Sequence, residues 1–439
     1  MRSAPAISRR AALALPLGLT GCGLFGGEHK PVLPGKRESV LRGVDVLQPD
    51  KTLPPVALPP PVANAAWLQA GGNPAHDMGH LVARPALSVA WTAKIGAGGG
   101  YRRKILTQPV VGNGVVYAMD SRADISALDL RSGRLLWRTE TRGERDRSTN
   151  VGGGLGLADG VLYAVNGLGA VLAVDPARGT IRWRVNIEAP GRSAPTIAAG
   201  RVFVTTLGDR LMALNAADGG RLWTYQAQNA ATGLLGAPAP AFADGLVVAG
   251  FASGELACLR AEGGSAVWSD ALAAAGPGTL DDIASIRGNP AISAGRVFAT
   301  GAGGLTAALD LHAGRRLWER GVGGEDSPWI AGDWLFVVTL DQVLAALHAA
   351  DGRVGWATSL PAFRNPKEQR DPLIWFGPIL AGDRLVVAGA SGEALAVSPY
   401  TGQIIGRQRL PAPAAPVQPA LAEGLVLLVA DDGRLIALQ

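Results

Sequence analysis

An all-β fold, an eight-bladed β-propeller with four-stranded blades closed by its N-terminal strand, is what this sequence predicts, and three observations predict it. A skeleton of Ala, an acid or amide two residues later, Gly six later and Trp ten later keeps returning. A second signature of Pro, then Gly or Asp five later, then an apolar run, precedes each copy but one. One Trp strand near the N-terminus stands with no copy before it.

Residues 1–21 read as a signal peptide: Arg2, Arg9 and Arg10 make a basic start, and residues 11–19 an apolar core too short to span a membrane stably. Leu19-Thr20-Gly21-Cys22 resembles a bacterial lipobox, which implies cleavage before Cys22 and its lipidation, palmitate included. Gly23 at the next position implies sorting to the outer membrane, facing the periplasm. Ser8-Arg9-Arg10 resembles a twin-arginine export signal and leaves the export route open.

Residues 22–86 form the lipidated N-terminus and a proline-rich tether, with Pro49, Pro54, Pro55, Pro59, Pro60 and Pro61 favouring extended backbone. Its end, 67–76, is less linker-like, and the propeller rim is where it would pack. His76 and His80 have the spacing of metal ligands on a helix, but Pro74 and Gly79 argue against a helix, so both are expected on a solvated tether.

Residues 87–439 are the propeller. Copies of the skeleton start at Ala127, Ala173, Ala213, Cys258, Ala308, Ala346 and Ala396, and an eighth begins at Ala437, so the period is 38 to 50 residues. Asp129, Asp175, Asn215 and Asp310 each end a strand in an Asx turn, and the following Gly reverses the chain. Trp137, Trp183, Trp223, Trp268, Trp318 and Trp356 then present large apolar faces between packed units. Pro109, Pro195, Pro240, Pro290, Pro328, Pro378 and Pro419 mark the second signature, and the runs behind them read as short strands. Four strands per period is the propeller pattern rather than a helical array. The last copy lacks its Trp strand, and Leu87-Ser88-Val89-Ala90-Trp91 supplies it, closing the ring and removing exposed edges.

Composition excludes several classes of function. Lys and Arg number 41 against 36 acids, but three of those arginines precede Cys22, leaving 38 against 36 and no basic footprint for nucleic acid. With Cys22 lipidated, Cys258 has no cysteine partner and is read as a small buried strand residue. No carboxylates converge in the sequence, no metal or other cofactor is expected, and His312 and His348 fall in repeat turns. The glycine-rich run 151–156 reads as a blade turn rather than a phosphate cradle.

The repeat Ala-x-Asp-x-x-(Thr)-Gly-x-x-x-Trp resembles the PQQ-like repeat over about residues 67–439. Two classes share it: the quinoprotein dehydrogenases, with pyrroloquinoline quinone and calcium at the centre, and the BamB family of outer-membrane assembly lipoproteins. The lipobox, eight short repeats, Gly96-Ala97-Gly98-Gly99-Gly100 and the lack of an adjacent cysteine pair are similar to the second. That resemblance implies a scaffold rather than an enzyme. Its partner would be the periplasmic POTRA region of BamA, docked on loops of neighbouring middle blades, here 226–237 and 276–289. Leu234, Leu235, Asp281, Asp282 and Arg287 are the candidate contacts. The family pattern has an Arg where this chain has Gly233, and an acidic pair before the strand proline where it has Ser285 and Arg287, so the loops carry over better than the side chains. Exposed strand edges or loops could also receive unfolded outer-membrane substrates by β-augmentation.

Overall fold

The structure is a computed structural model and describes residues 47–101, 103–143, 152–230, 236–272 and 285–439. These contain strands and turns and no helix. Eight four-stranded antiparallel sheets follow one another as blades: 110–139, 153–186, 196–226, 241–271, 291–320, 329–359, 375–409, and 420–438 joined by Val89–Lys94. Within blades 1 to 7 the strands run in chain order from the axis outward, and neighbouring innermost strands touch. In blade 8 the N-terminal strand Val89–Lys94 lies on Arg434–Leu438 as the outermost strand, the predicted closure.

One register repeats in all eight sheets. The Ala slot of the third strand stands opposite the Trp slot of the fourth: Ala127 and Trp137, Ala173 and Trp183, Ala213 and Trp223, Cys258 and Trp268, Ala308 and Trp318, Ala346 and Trp356, Ala396 and Gly406, Ala437 and Trp91. Residues directly opposite in an antiparallel pair share a face of the sheet, so a small residue there leaves room for an indole. Cys258 fills this slot, buried, with its Sγ 3.7 Å from the Leu311 carbonyl oxygen, and burial pushes its thiol up to about 12. In five blades the second strand adds an aromatic ring to the row: Tyr117, Tyr163, Phe203, Phe298 and Phe336 lie 5.8 to 6.3 Å from their Trp.

Each indole reaches the next blade. Trp91 donates to the carbonyl of Leu130, Trp137 to Pro176, Trp183 to Ala216, Trp223 to Ala261, Trp268 to Leu311, Trp318 to Ala349 and Trp356 to Pro399, at 2.7 to 3.3 Å. The turn Gly of that next blade carries a positive φ and also lies flat against the ring. A Cβ on Gly352 would stand 2.6 Å from Trp318 Cε3, and six other turn glycines meet the preceding Trp in the same way. Blade 8 has no such turn, because its third and fourth strands come from opposite ends of the chain, and the Trp slot of blade 7 facing it is Gly406. The apolar core is accordingly built as layers between blades: five stand apart from blade 1 to blade 6, and those from blade 6 through blades 7 and 8 to blade 1 merge with Val56, Trp67 and Leu81 into one larger cluster.

Residues 62–85, counted with the tether in the sequence, make a circuit of one end of the axis. Trp67 exchanges backbone hydrogen bonds with Val111 in blade 1, and the Leu68 carbonyl accepts from Leu157 N–H in blade 2. Gln69 clamps Ile197 in blade 3 through both halves of its amide, at 2.8 and 2.9 Å. The carbonyls of Pro74 and Ala75 accept from Phe242 and Ile292 in blades 4 and 5. Gly79 accepts from the Trp329 indole in blade 6, Leu81 from Gly382 N–H in blade 7, and Asn64 and Arg84 bond to blade 8. The belt is not solvated. Trp67 is fully buried and stacks on Trp329 with centroids 6.2 Å apart. His76 and His80 are buried too, against the expectation of a solvated tether, because the belt packs them between carbonyls: Pro290 for His76, Pro59 and Gly382 for His80. Gly153–Ala158 is likewise a strand, the innermost of blade 2, where a turn was expected; Gly154 and Gly156 have room for no side chain against Ala194 and Ile197 of blade 3.

Candidate functional site

The loops that lead from the outermost strand of one blade to the innermost strand of the next share one face of the propeller, and both expected partner loops, 226–237 and 276–289, are of this kind. Leu234, Leu235, Asp281 and Asp282 lie outside the described residues. The bases of their loops are described, and buried or half-buried polar groups fix them.

At the first loop the carboxylate of Asp209, buried, accepts from the N–H groups of Ala230 at 3.0 Å and Ala252 at 2.9 Å, tying the loop to blades 3 and 4. Glu255 accepts from the Tyr225 hydroxyl at 2.6 Å and from Gln228 N–H at 2.8 Å. At the second loop Arg316 of blade 5 grips Asp270 through two hydrogen bonds of 2.7 Å and also donates to the Ala271 carbonyl. Charge-assisted forked pairs of this kind hold direction as well as distance. On the far side of the loop Ile286 N–H bonds to the Phe251 carbonyl, and Asn289 accepts from Ala239 N–H at 2.7 Å, which joins the ends of the two loops. The repeat pattern did not expose these anchors. Their one trace in the sequence is an acid at the start of, or just before, the third strand in repeats 3 and 4.

Arg287 lies elsewhere than at a loop tip. Its guanidinium, with the side chain 16% exposed, turns to the axis, where it pairs with Glu325 at 2.6 Å and donates to the Pro416 carbonyl at 3.2 Å. It lines a cavity of about 90 Å³ at the centre of the ring, together with Gln108, Arg192, Asp326 and Gln418. An acidic pair before a strand proline does exist in this chain, one repeat later than the family pattern places it: Glu325 and Asp326 precede Pro328, and Arg287 is bonded to it. Burial pushes the Asp326 carboxyl up to about 7 against the opposing pull of Arg287, and its one hydrogen bond, from Gly377 N–H, is 3.3 Å long.

These residues do not fit calcium and a quinone cofactor. Calcium takes six to eight oxygen ligands, whereas Glu325 and Asp326 are the two carboxylates of the cavity lining and Glu325 is already committed to Arg287. Among the described residues no group of three His, Cys, Asp or Glu side chains stands close enough to hold a metal ion.

A family profile described as outer membrane protein assembly factor BamB matches residues 121–358 and 365–439. The outer membrane protein assembly factor BamB of Vibrio cholerae is 32% identical over 340 residues, 77% of this chain and 85% of that protein. Among solved structures, BamB from Moraxella catarrhalis superposes with a TM-score of 0.68 at 20% identity, covering 80% of this chain and 99% of that one. The quinohemoprotein alcohol dehydrogenase of Comamonas testosteroni, at 14% identity, has a TM-score of 0.65 over 85% of this chain and 80% of its own, a likeness of fold.

Proposed function

Because this chain belongs to the BamB family of outer membrane protein assembly factors, we propose that it is a non-enzymatic scaffold lipoprotein of the machinery that assembles β-barrel proteins in the outer membrane. Cys22 carries the acyl chains that hold it at the inner face of that membrane, while Pro49 to Pro61, read from the sequence as tether, pack on the propeller through Asp50, Val56 and Pro59. Tethering raises its local concentration at the assembly site without any new contact. Loops 226–237 and 276–289 hold the POTRA region of a BamA-like partner, with Leu234 and Leu235 as apolar anchors and Asp281 and Asp282 setting register, while Arg287, paired with Glu325 at the axis, holds the end of the second loop. Unfolded outer-membrane substrates meet the outer strands, where Leu135, Leu222 and Ile405 are exposed.

The observation that carries this reading is the family match along nearly the whole ring of blades. The axis supports it, since of the two carboxylates that line its cavity Glu325 is spent on Arg287. Affinity purification of the lipidated chain from detergent-solubilised membranes, with the eluate identified by mass spectrometry, tests it. A BamA-like protein is expected in the eluate, and a folded variant with Leu234→Ala, Leu235→Ala, Asp281→Ala and Asp282→Ala is expected to lose it. Retention by that variant would move the contact elsewhere on the propeller. Absence of any such protein, together with quinone-dependent dye reduction, would replace the scaffold with a dehydrogenase.

A further inference from the structure

Between blades 6 and 7 the chain adds a hairpin that no other junction of described residues has, Phe363–Asn365 paired with Arg370–Pro372. It leans over blade 7 and encloses a trough of about 600 Å³ against the strands Glu393–Val397 and Ile404–Arg409. Arg364 comes from the hairpin, while Arg407 and Arg409 alternate on one face of the outer strand, exposed and pointing into the trough. Glu393 is the one acid there, and its nearest approach to Arg407 is 3.9 Å. Phe363 and Leu373 give the trough an apolar side. Leu373 is shared with a second depression that continues toward the axis and ends at Arg287, passing Leu340 and Ile374, which are 42% and 49% exposed. Together they make a radial groove, cationic in the outer trough and apolar further in, where Asp341 follows Leu340 and the Arg287–Glu325 pair and Asp326 close the inner end, on the same face as the loops 226–237 and 276–289.

We propose that this groove is a second docking site, which takes an extended acidic segment of a partner polypeptide carrying an aromatic or aliphatic side chain. Three arginines against one glutamate select carboxylates, and a guanidinium with five donors binds them in forked pairs. Leu340 and Ile374 receive the apolar side chain. A flat lipid surface fits poorly, because Arg407 and Arg409 sit beneath the hairpin. Of the loops 226–237 and 276–289 the groove shares only Arg287, at its inner end, so a scaffold that binds through the tips of those loops keeps the outer trough open for another chain.

Fluorescence anisotropy with the full chain and a short labelled peptide of alternating Asp and Phe tests the site. Binding is expected to weaken with rising salt, as exposed charge pairs are screened. Arg364→Glu with Arg407→Glu should weaken it at least about tenfold, and Ile374→Ser should weaken it with no change in salt dependence. The milder pair Arg364→Gln and Arg407→Gln serves if charge reversal disturbs folding. Absence of peptide binding, equal binding of an Asn-Phe peptide, or unchanged affinity in the variants would overturn the proposal. Capture by phosphatidylglycerol vesicles that the same arginine variants abolish would replace the peptide with a membrane.

Discussion

At the scale of single residues, the Trp and Gly of the repeat act across a blade boundary, not within one turn. The sequence read Gly as a source of positive φ, which it is, but pairing in sequence could not show that the ring resting on each Gly belongs to the blade before. Trp318→Ala, at a buried site, should cost roughly 3–5 kcal/mol. Gly352→Ala should cost more than the roughly 1 kcal/mol of an ordinary left-handed glycine, because its new methyl meets that ring. The double variant is expected to cost less than the sum of the two, since removing the indole makes room for the methyl. Urea unfolding of the three variants checks this, and strict additivity would mean that the two residues act independently. The decay of the seventh repeat has the same origin: Gly406 faces a blade with no turn for a Trp to cover.

Elements divide by how local their signal is. Strands, turns and the closing strand were legible because each is specified by residues within a dozen positions of one another. The Asx turns are present as read: Asp129 accepts from Ser132 N–H at 2.9 Å, Asp175 from Ala177 at 3.0 Å, Asn215 from Ala217 at 2.9 Å and Asp310 from His312 at 3.0 Å. The belt was not legible, since its partners are inner strands up to several hundred residues away and its proline content reads as linker. The candidate contacts were legible only as loops, whereas the side chains that hold those loops, Asp209, Glu255 and Arg316, obey no repeat. The belt also has a titratable consequence. His76 is buried, its Nδ1 donates to the Pro290 carbonyl at 2.7 Å, and Nε2 has no partner among the described residues. Burial holds this imidazole down to about 4, so the unfolded chain takes up a proton first as pH falls. Its contribution to stability is full above about 6.5 and is lost as pH falls to about 4, by roughly 3 kcal/mol. Asp326, raised to about 7, works with the opposite sign, its contribution being lost as pH rises. In an Asp326→Asn background, His76→Asn is expected to flatten the fall in melting temperature between pH 6.5 and 4; an unchanged slope would place the titration on another group.

For the whole molecule, the ring is held shut twice: by Val89–Lys94 on the last strand, and by the belt that bonds to the inner strands of all eight blades. Shortening the chain to begin after residue 94 should leave blade 8 with three strands and remove the belt as well. Such a chain is expected to associate through the exposed edge of Arg434–Leu438 and to melt over a broader range than the intact protein, seen by light scattering and calorimetry. A monomer with an unchanged sharp transition would show that blades 1 to 7 hold the ring without help.

That closing pair also sets a clock. The strand that seals the ring precedes every blade along the chain, and its mate follows all the other strands. Blades 1 to 7 can therefore form one after another, yet Val89–Lys94 keeps an unpaired edge until Arg434–Leu438 is in place. Contacts between the extreme ends of a chain are the slowest to form. Val89–Lys94 must then be kept apart from other chains while the blades between form, and the pairing that completes the ring waits for its distant mate.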